Sequence, residues 1–148
     1  MKRCALFFLL LTYTLFATAA STSQETKNIQ LLQGLFTQVS EKLSMRHFDD
    51  YYSPTFVLVS NNTTYPYAIY KSQQADIFKQ LKQLKVLNYD DIFAKNDKVV
   101  SRMSIKLTFK DNKSYTFYVI LIALVKNGKI QEIWETTYPS WSDKLPSN

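Results

Sequence analysis

The chain has 148 residues, of which 46% are hydrophobic, 15% aromatic and 20% charged, and its formal net charge is +6. This composition fits one folded domain with an apolar core. Only two glycines and four prolines are present, and together with the aromatic content they exclude a disordered, collagen-like or glycine-rich chain. The single histidine, His47, excludes a zinc site made of several histidines, and we expect neither a metal nor a cofactor.

The first 19 residues have the pattern of a secretory signal peptide. Two basic residues precede an apolar run that ends at Phe16, and Ala17 and Ala19 follow as a small-residue cleavage pattern. The run is shorter than the roughly 20 residues of a membrane-spanning helix, and an uncleaved anchor is the alternative. We therefore predict a signal peptide over residues 1–19, a secreted or periplasmic protein, and no stable membrane insertion after cleavage.

Cleavage would leave a chain with a small positive charge and no cysteine. It removes two of the 18 basic residues and none of the 12 acidic ones, so the net charge falls to +4. This scattered excess favours a soluble, charged surface over a nucleic-acid site, and we predict no nucleic acid as a partner. Without cysteine the mature protein has no disulfide and no catalytic thiol.

Helical patterns precede strand patterns along the chain. An apolar stripe predicts an amphipathic helix over residues 23–44, and a short second helix is predicted over 45–52. A short strand is expected at 56–59, and a third helix over 72–85 with Ser72 as its N-cap. Four further strands are predicted at residues 86–93, 98–110, 114–126 and 130–138.

This order of elements predicts an α+β domain over residues 20–139. A run of helices followed by a run of strands is the α+β pattern. We expect a curved antiparallel sheet wrapped over the N-terminal helices. Residues 140–148 are predicted to be a polar C-terminal tail.

Two predicted hairpins set the register of the last strands. Asn127-Gly128 is a preferred pair for a two-residue turn, and Asp111-Asn112 is interpreted as a second one. This register places Glu135 opposite Ile120. A shift by one residue would bring basic side chains onto the apolar face, which is unfavourable. The predicted inner face, toward the helices, consists of Met103, Ile105, Leu107, Tyr118, Ile120, Ile122, Leu124, Ile133 and Glu135.

Glu135 is the only acidic residue on this predicted inner face. Burial disfavours the charged carboxylate and raises its pKa, which adapts a carboxyl group to acid/base catalysis near neutral pH. Glu135 is therefore the candidate catalytic residue, and Met103, Tyr118 and Ile120 are candidate ligand-binding neighbours. The alternative is that Glu135 lies at the rim of the sheet and meets solvent or a lysine.

The predicted outer face carries an apolar stripe. Exposed apolar patches of this kind mark interfaces. We therefore predict a homodimer through this face, formed by Phe117, Val119, Leu121 and Trp134. The alternative is that the C-terminal tail covers the stripe.

Two further groups of side chains are candidates for the site. His47, Asp50 and Tyr51 share one face of the short second helix. If that face turns inward, His47 and Asp50 are additional catalytic candidates and Tyr51 a ligand contact; otherwise this is an exposed helix turn. Tyr65, in the loop before the third helix, is a candidate for stacking on a flat ligand, or it packs as an ordinary loop residue.

The last hairpin, Lys126-Asn-Gly128-Lys-Ile130-Gln-Glu132-Ile-Trp134-Glu135, resembles that of the nuclear-transport-factor-2-like superfamily, and within it the SnoaL-like group. The stretch from Phe48 to Asn62, with Tyr51-Tyr52-Ser53-Pro54, resembles the second helix and first strand of these domains. The order of elements agrees over nearly all of residues 24–138.

The resemblance implies a cone-like, cystatin-like, SnoaL-like α+β barrel with a pocket between helices and sheet, often dimeric through the outer face of the sheet. Two functions are expected, and a third possibility is an interaction protein that uses the sheet face on another partner. The chain is expected to bind a small hydrophobic ligand without chemistry, as non-catalytic members do. Alternatively it is a cofactor-independent cyclase, isomerase or dehydratase, in which Glu135 matches the acid/base carboxylate that polyketide cyclases carry on the last strand.

Overall fold

The computed structural model describes residues 23–144, so the predicted signal peptide lies outside the described residues. Within this part of the chain, no helix is long and apolar enough to cross a membrane. Residues 23–35 form helix α1, which continues as a π-helical turn over Phe36–Ser40, and Phe48–Tyr51 and Tyr67–Gln80 form α2 and α3. The strands are β1 (Tyr52–Ser60), β2 (Thr63–Pro66), β3 (Leu81–Lys95), β4 (Lys98–Phe109), β5 (Ser114–Lys126) and β6 (Lys129–Tyr138), and a 3-10 turn covers Trp141–Asp143.

The six strands form one sheet in the order β2-β1-β6-β5-β4-β3. Strands β1 and β6 run parallel, whereas all other neighbouring pairs are antiparallel. The predicted α+β class, with helices packed against a curved sheet, is confirmed. The four consecutive strands predicted after the third helix pair antiparallel, as expected, and β1 joins them as a parallel neighbour of β6.

One hydrophobic core joins α1 to the sheet. Leu32, Leu35 and Val39 of α1 are almost fully buried, as the predicted apolar stripe requires. Burial of side chains of this size contributes about 1.5–3 kcal/mol each. The strand residues in the same core include Leu58, Val99, Met103, Ile105, Phe117, Val119, Leu121 and Ile133.

Helix α3 lies five residues earlier than predicted. It begins at Tyr67, directly after Pro66, which occupies the N-cap with an extended backbone. Ser72 is therefore inside the helix rather than at its start. The helix ends at Gln80 because Leu81 is extended and buried opposite Phe109, where β3 begins.

Phe109 and Lys113 close the hairpin between β4 and β5, so the loop within this closing pair has three residues, 110–112, instead of the predicted two. The backbone N–H of Phe109 donates to the carbonyl of Lys113 at 2.8 Å, and Asn112 adopts a left-handed φ of 67°. Ile105 consequently lies opposite Phe117 and not Tyr118. The predicted register of this hairpin was wrong by one residue.

A bulge in β6 changes the second predicted register by one residue as well. Val125 pairs with Ile130 but Leu124 pairs with Glu132, so Gln131 is the extra residue. Glu135 therefore lies opposite Leu121 instead of Ile120. The two shifts add up to two residues between β4 and β6, so Glu135 aligns with Ser101 instead of Met103. Because side chains alternate between the faces with a period of two, Glu135 still lies on the inner face of the sheet, as predicted.

The two faces of β5 are reversed relative to the prediction, because a one-residue shift moves every side chain to the opposite face. Phe117, Val119 and Leu121, predicted on the outer face, are buried in the core. Tyr118 and Ile120, predicted to line the interior, are 59% and 56% exposed on the outside. Trp134 of β6 is exposed on the outer face, as predicted.

Candidate functional site

A cavity of about 580 Å³ lies between the helices and the inner face of the sheet. Its apolar wall includes Leu35 of α1, Phe78 of α3 and Met103, Leu121 and Ile133 of the sheet. A volume of this size is in the usual range for small-molecule sites. The polar side chains that line it include Tyr52, Ser60, Tyr70, Glu135 and Trp141.

Glu135 is held in the cavity wall by two hydrogen-bond donors. The Ser60 hydroxyl donates to its Oε1 at 2.8 Å, and the indole N–H of Trp141 donates to the same oxygen at 2.9 Å. Ser60 is close to Glu135 because β1 and β6 form the parallel pair, in which Ser60 lies directly opposite Glu135. Among the side chains that the structure describes, none donates to Oε2.

Burial raises the pKa of Glu135 above its ordinary value, because the charged carboxylate is removed from water. The hydrogen bonds from Trp141 and Ser60 stabilise the charged form and lower the pKa, but burial is the larger effect. A carboxyl group with a raised pKa exchanges its proton closer to neutral pH than an exposed one does. The site can therefore accept or donate a proton.

A pair of tyrosines forms a second polar feature of the cavity. The Tyr52 and Tyr70 hydroxyls share a hydrogen bond of 3.2 Å, and burial raises the pKa of both phenols, as does the negative charge of Glu135. The Phe56 ring lies 4.5 Å from that of Tyr52 and 5.2 Å from that of Tyr70. Both phenols therefore remain neutral and are fixed in place as hydrogen-bonding groups.

The predicted site residues divide into two groups. Met103 and Tyr65 line the cavity, as predicted. His47 and Asp50 form an exposed pair at 2.8 Å on α2 and are not among the cavity-lining residues. The hydroxyl end of Tyr51 packs closely against Gly34 of α1, since a Cβ added to Gly34 would lie only 3.0 Å from the Tyr51 hydroxyl oxygen. Tyr51 does not line the cavity.

Tyr118 and Ile120 also lie outside the cavity, because the register shift turns them to the outer face. The hypothesis that His47 meets Glu135 across the interior is likewise wrong, since α2 presents His47 to solvent. Within the described residues, no group of three or more His, Cys, Asp and Glu side chains is arranged to hold a metal ion.

Sequence reasoning did not identify Tyr52, Ser60 or Trp141 as site residues. Ser60 approaches Glu135 through the parallel pairing of β1 and β6, for which hairpin patterns carry no signal. Trp141 belongs to the predicted polar tail, and the isolated tryptophan in that tail was the sequence signal that could have indicated a site residue.

The helices pack against a curved mixed sheet with a cavity between them, which is the architecture of the cone-shaped α+β folds. A carboxyl group lies on the last strand of this sheet. No protein-family model matches the chain, and no curated protein matches its sequence. Solved structures do match it, at probability 1.00.

Three of these structures illustrate the similarity. AclR from Streptomyces galilaeus, a proposed hydroxylase, has a TM-score of 0.69 at 16% identity, over 82% of this chain and 99% of its own. A proposed SnoaL-like polyketide cyclase from Jannaschia sp. CCS1 has a TM-score of 0.63 at 15% identity, over 76% of this chain and 86% of its own. An NTF2-like protein from Anabaena variabilis has a TM-score of 0.65 at 17% identity, over 75% and 89%.

The chain therefore has the fold of the NTF2-like, SnoaL-like superfamily. The resemblance predicted from the last hairpin is confirmed for the fold. At these identities the similarity concerns architecture, and function has to be argued from the site.

Proposed function

We propose that this chain is an exported domain that binds a small hydrophobic molecule in its internal cavity. The observation that supports the proposal is the cavity of about 580 Å³, with an apolar wall and a few converging polar groups. Such a combination is typical of ligand sites, in which apolar surface supplies affinity and polar groups fix orientation. The predicted signal peptide supports export.

A neutral apolar dye tests ligand binding. N-phenyl-1-naphthylamine becomes fluorescent in apolar surroundings, and we expect it to bind the protein. Met103→Trp places a larger side chain in the cavity wall and should weaken binding about 10-fold or more. The control, Ile120→Trp, introduces the same side chain on the outer face and should leave binding unchanged.

Thermal unfolding establishes that each variant is folded before dye is added. Met103 is fully buried, so its replacement by a larger residue lowers stability by about 1–3 kcal/mol. Tyr65→Trp, at a half-buried position of the same cavity, is the second variant if Met103→Trp does not fold. Absence of dye binding to the wild-type protein would overturn the proposal.

One observation favours an enzyme as the second candidate. Glu135 lines the apolar cavity with no side-chain donor on its Oε2, and burial raises its pKa, which suits a general acid/base. We propose proton transfer to or from a carbon or oxygen of the bound molecule as the reaction class. SnoaL-like polyketide cyclases are among the structural neighbours, which supports this reaction class without identifying a substrate.

Deuterium exchange into 1-tetralone tests this candidate. A base removes a proton from the carbon beside the ketone, and the carbon then takes up a deuteron from D₂O. We expect the protein to accelerate exchange and Glu135→Gln to lose about 100-fold of that acceleration. Glu132→Gln, on the same strand and outside the cavity, is the control, and equal rates for all three proteins would exclude Glu135 as the base.

A further inference from the structure

The residues that follow β6 complete the cavity beside Glu135. The Trp141 ring stacks on Phe117 at a centroid distance of 4.1 Å and an interplanar angle of 34°. Phe117 is fully buried, so it is a fixed support for the indole ring. The indole N–H then reaches Oε1 of Glu135 at 2.9 Å. Trp141 therefore provides both a part of the wall and a hydrogen-bond donor.

The turn between β1 and β2 anchors this segment. The Asn61 side-chain amide donates to Thr137 Oγ1 at 3.0 Å and to Ser140 Oγ at 3.3 Å, and its oxygen accepts from the Thr137 backbone N–H at 3.2 Å. The preceding residue, Ser60, donates to Glu135. Two adjacent residues thus hold the carboxyl group and the segment that carries its second donor.

These contacts determine which carboxyl oxygen faces the ligand. Both donors bind Oε1, which fixes the rotation of the carboxyl group and leaves Oε2 without a side-chain donor, on a residue that lines the cavity. The other titratable groups near Glu135 are Tyr52 and Tyr70, which burial keeps neutral. Asp76 also lines the cavity and is paired with Lys79 at 2.8 Å.

We propose that Trp141 is a positioning residue for Glu135: its indole N–H fixes Oε1 so that Oε2 meets the bound molecule, and Asn61 keeps Trp141 in place. The inference rests on the proposed function in one respect, namely that Glu135 is the group that the ligand meets.

Trp141→Phe tests the donor separately from the wall. Phenylalanine retains a ring to stack on Phe117 and to exclude water, but it has no N–H. The charged carboxylate then loses a donor while remaining buried, so the titration midpoint of the Glu135 carboxyl group moves to higher pH. The measurement is a pH titration of the Glu135 side-chain ¹³C carboxyl signal by NMR. Trp141→Ala is unsuitable, because water that enters the gap lowers the same midpoint.

Trp134→Phe is the matched control. It makes the same chemical change one residue before Glu135, but on the outer face of β6, and it should leave the titration unchanged. Asn61→Gly tests the anchor, since glycine tolerates the φ of 46° while the amide contacts to Thr137 and Ser140 are lost. We expect Asn61→Gly to shift the midpoint in the same direction as Trp141→Phe.

An unchanged midpoint in folded Trp141→Phe protein would overturn the inference. So would an equal shift in Trp134→Phe, because the effect would then not depend on the donor. The titration needs no ligand, so its result is independent of dye binding. Failure of the dye to bind overturns the proposed function, whereas failure of the midpoint to move overturns the role of Trp141.

Discussion

The burial of Glu135 links the stability of the fold to pH. Its pKa is raised in the folded protein mainly by burial, whereas in the unfolded chain the carboxyl group is hydrated. Between the two pKa values the folded state binds more protons than the unfolded state. The free energy of unfolding therefore decreases as pH rises through this interval and remains lower above it.

Glu135→Gln should remove this pH dependence. Glutamine keeps an oxygen that accepts from Ser60 and Trp141, but it has no charge to bury. We expect the variant to gain stability relative to the wild type as the pH is raised from about 4 to about 8, measured by urea unfolding at each pH. A stability difference that stays constant over this range would contradict the explanation. Glu132→Gln should not reproduce the effect.

The two faces of β5 illustrate which part of the fold the sequence pattern determines. In β4, Arg102 and Lys106 alternate with apolar residues, and they are exposed as the pattern predicts. In β5 both faces are apolar, so alternation does not distinguish them. The length of the loop before β5 decides the register, and Asp111-Asn112 is compatible with loops of two and of three residues.

Lysine substitutions at neighbouring positions of β5 test the corrected register. Val119→Lys introduces an unpaired charge into the core, because Val119 is 1% exposed, and should cost about 3–5 kcal/mol in the free energy of unfolding. Ile120→Lys places the same charge on the outer face and should change stability by about 1 kcal/mol or less. Urea unfolding at low protein concentration measures both changes. A larger loss of stability in Ile120→Lys than in Val119→Lys would support the register predicted from the sequence instead.

The candidate site was only partly predictable for a related reason. The inner-face position of Glu135 was predicted correctly because the two one-residue shifts add up to two residues, which restores the face. The inner-face position of Met103 was predicted correctly because β4 alternates strictly. The partners of Glu135 depend on contacts between distant parts of the chain. Ser60 and Glu135 are 75 positions apart and meet only through the parallel pair. Local patterns carry no information about such a pairing.

The outer face of the sheet is relevant to the oligomeric state of the molecule. Tyr118, Ile120, Trp134 and Tyr138 are 59%, 56%, 37% and 77% exposed on it. We propose that two copies of the chain associate through this face, with Trp134 near the centre. The residues that form it differ from those predicted, since Phe117, Val119 and Leu121 are inside.

Light scattering at micromolar concentration tests this association. The wild-type protein should have twice the monomer mass, because burial of these apolar side chains drives the association. Ile120→Lys should have the monomer mass while remaining folded. A wild-type protein that has the monomer mass under these conditions would contradict the homodimer.

Among the strands that the structure describes, β6 is synthesised last, yet it lies third in the sheet, between β1 and β5. A chain that stops before this strand has β1 and β2 on one side and β3, β4 and β5 on the other, with no strand pairing between the two groups. Chains emerge from the ribosome in order from the N-terminus, and pairing over long separations is slow. The sheet therefore closes only when almost the whole chain is available. Such a delay suits a polypeptide that crosses a membrane unfolded, as the predicted signal peptide would require.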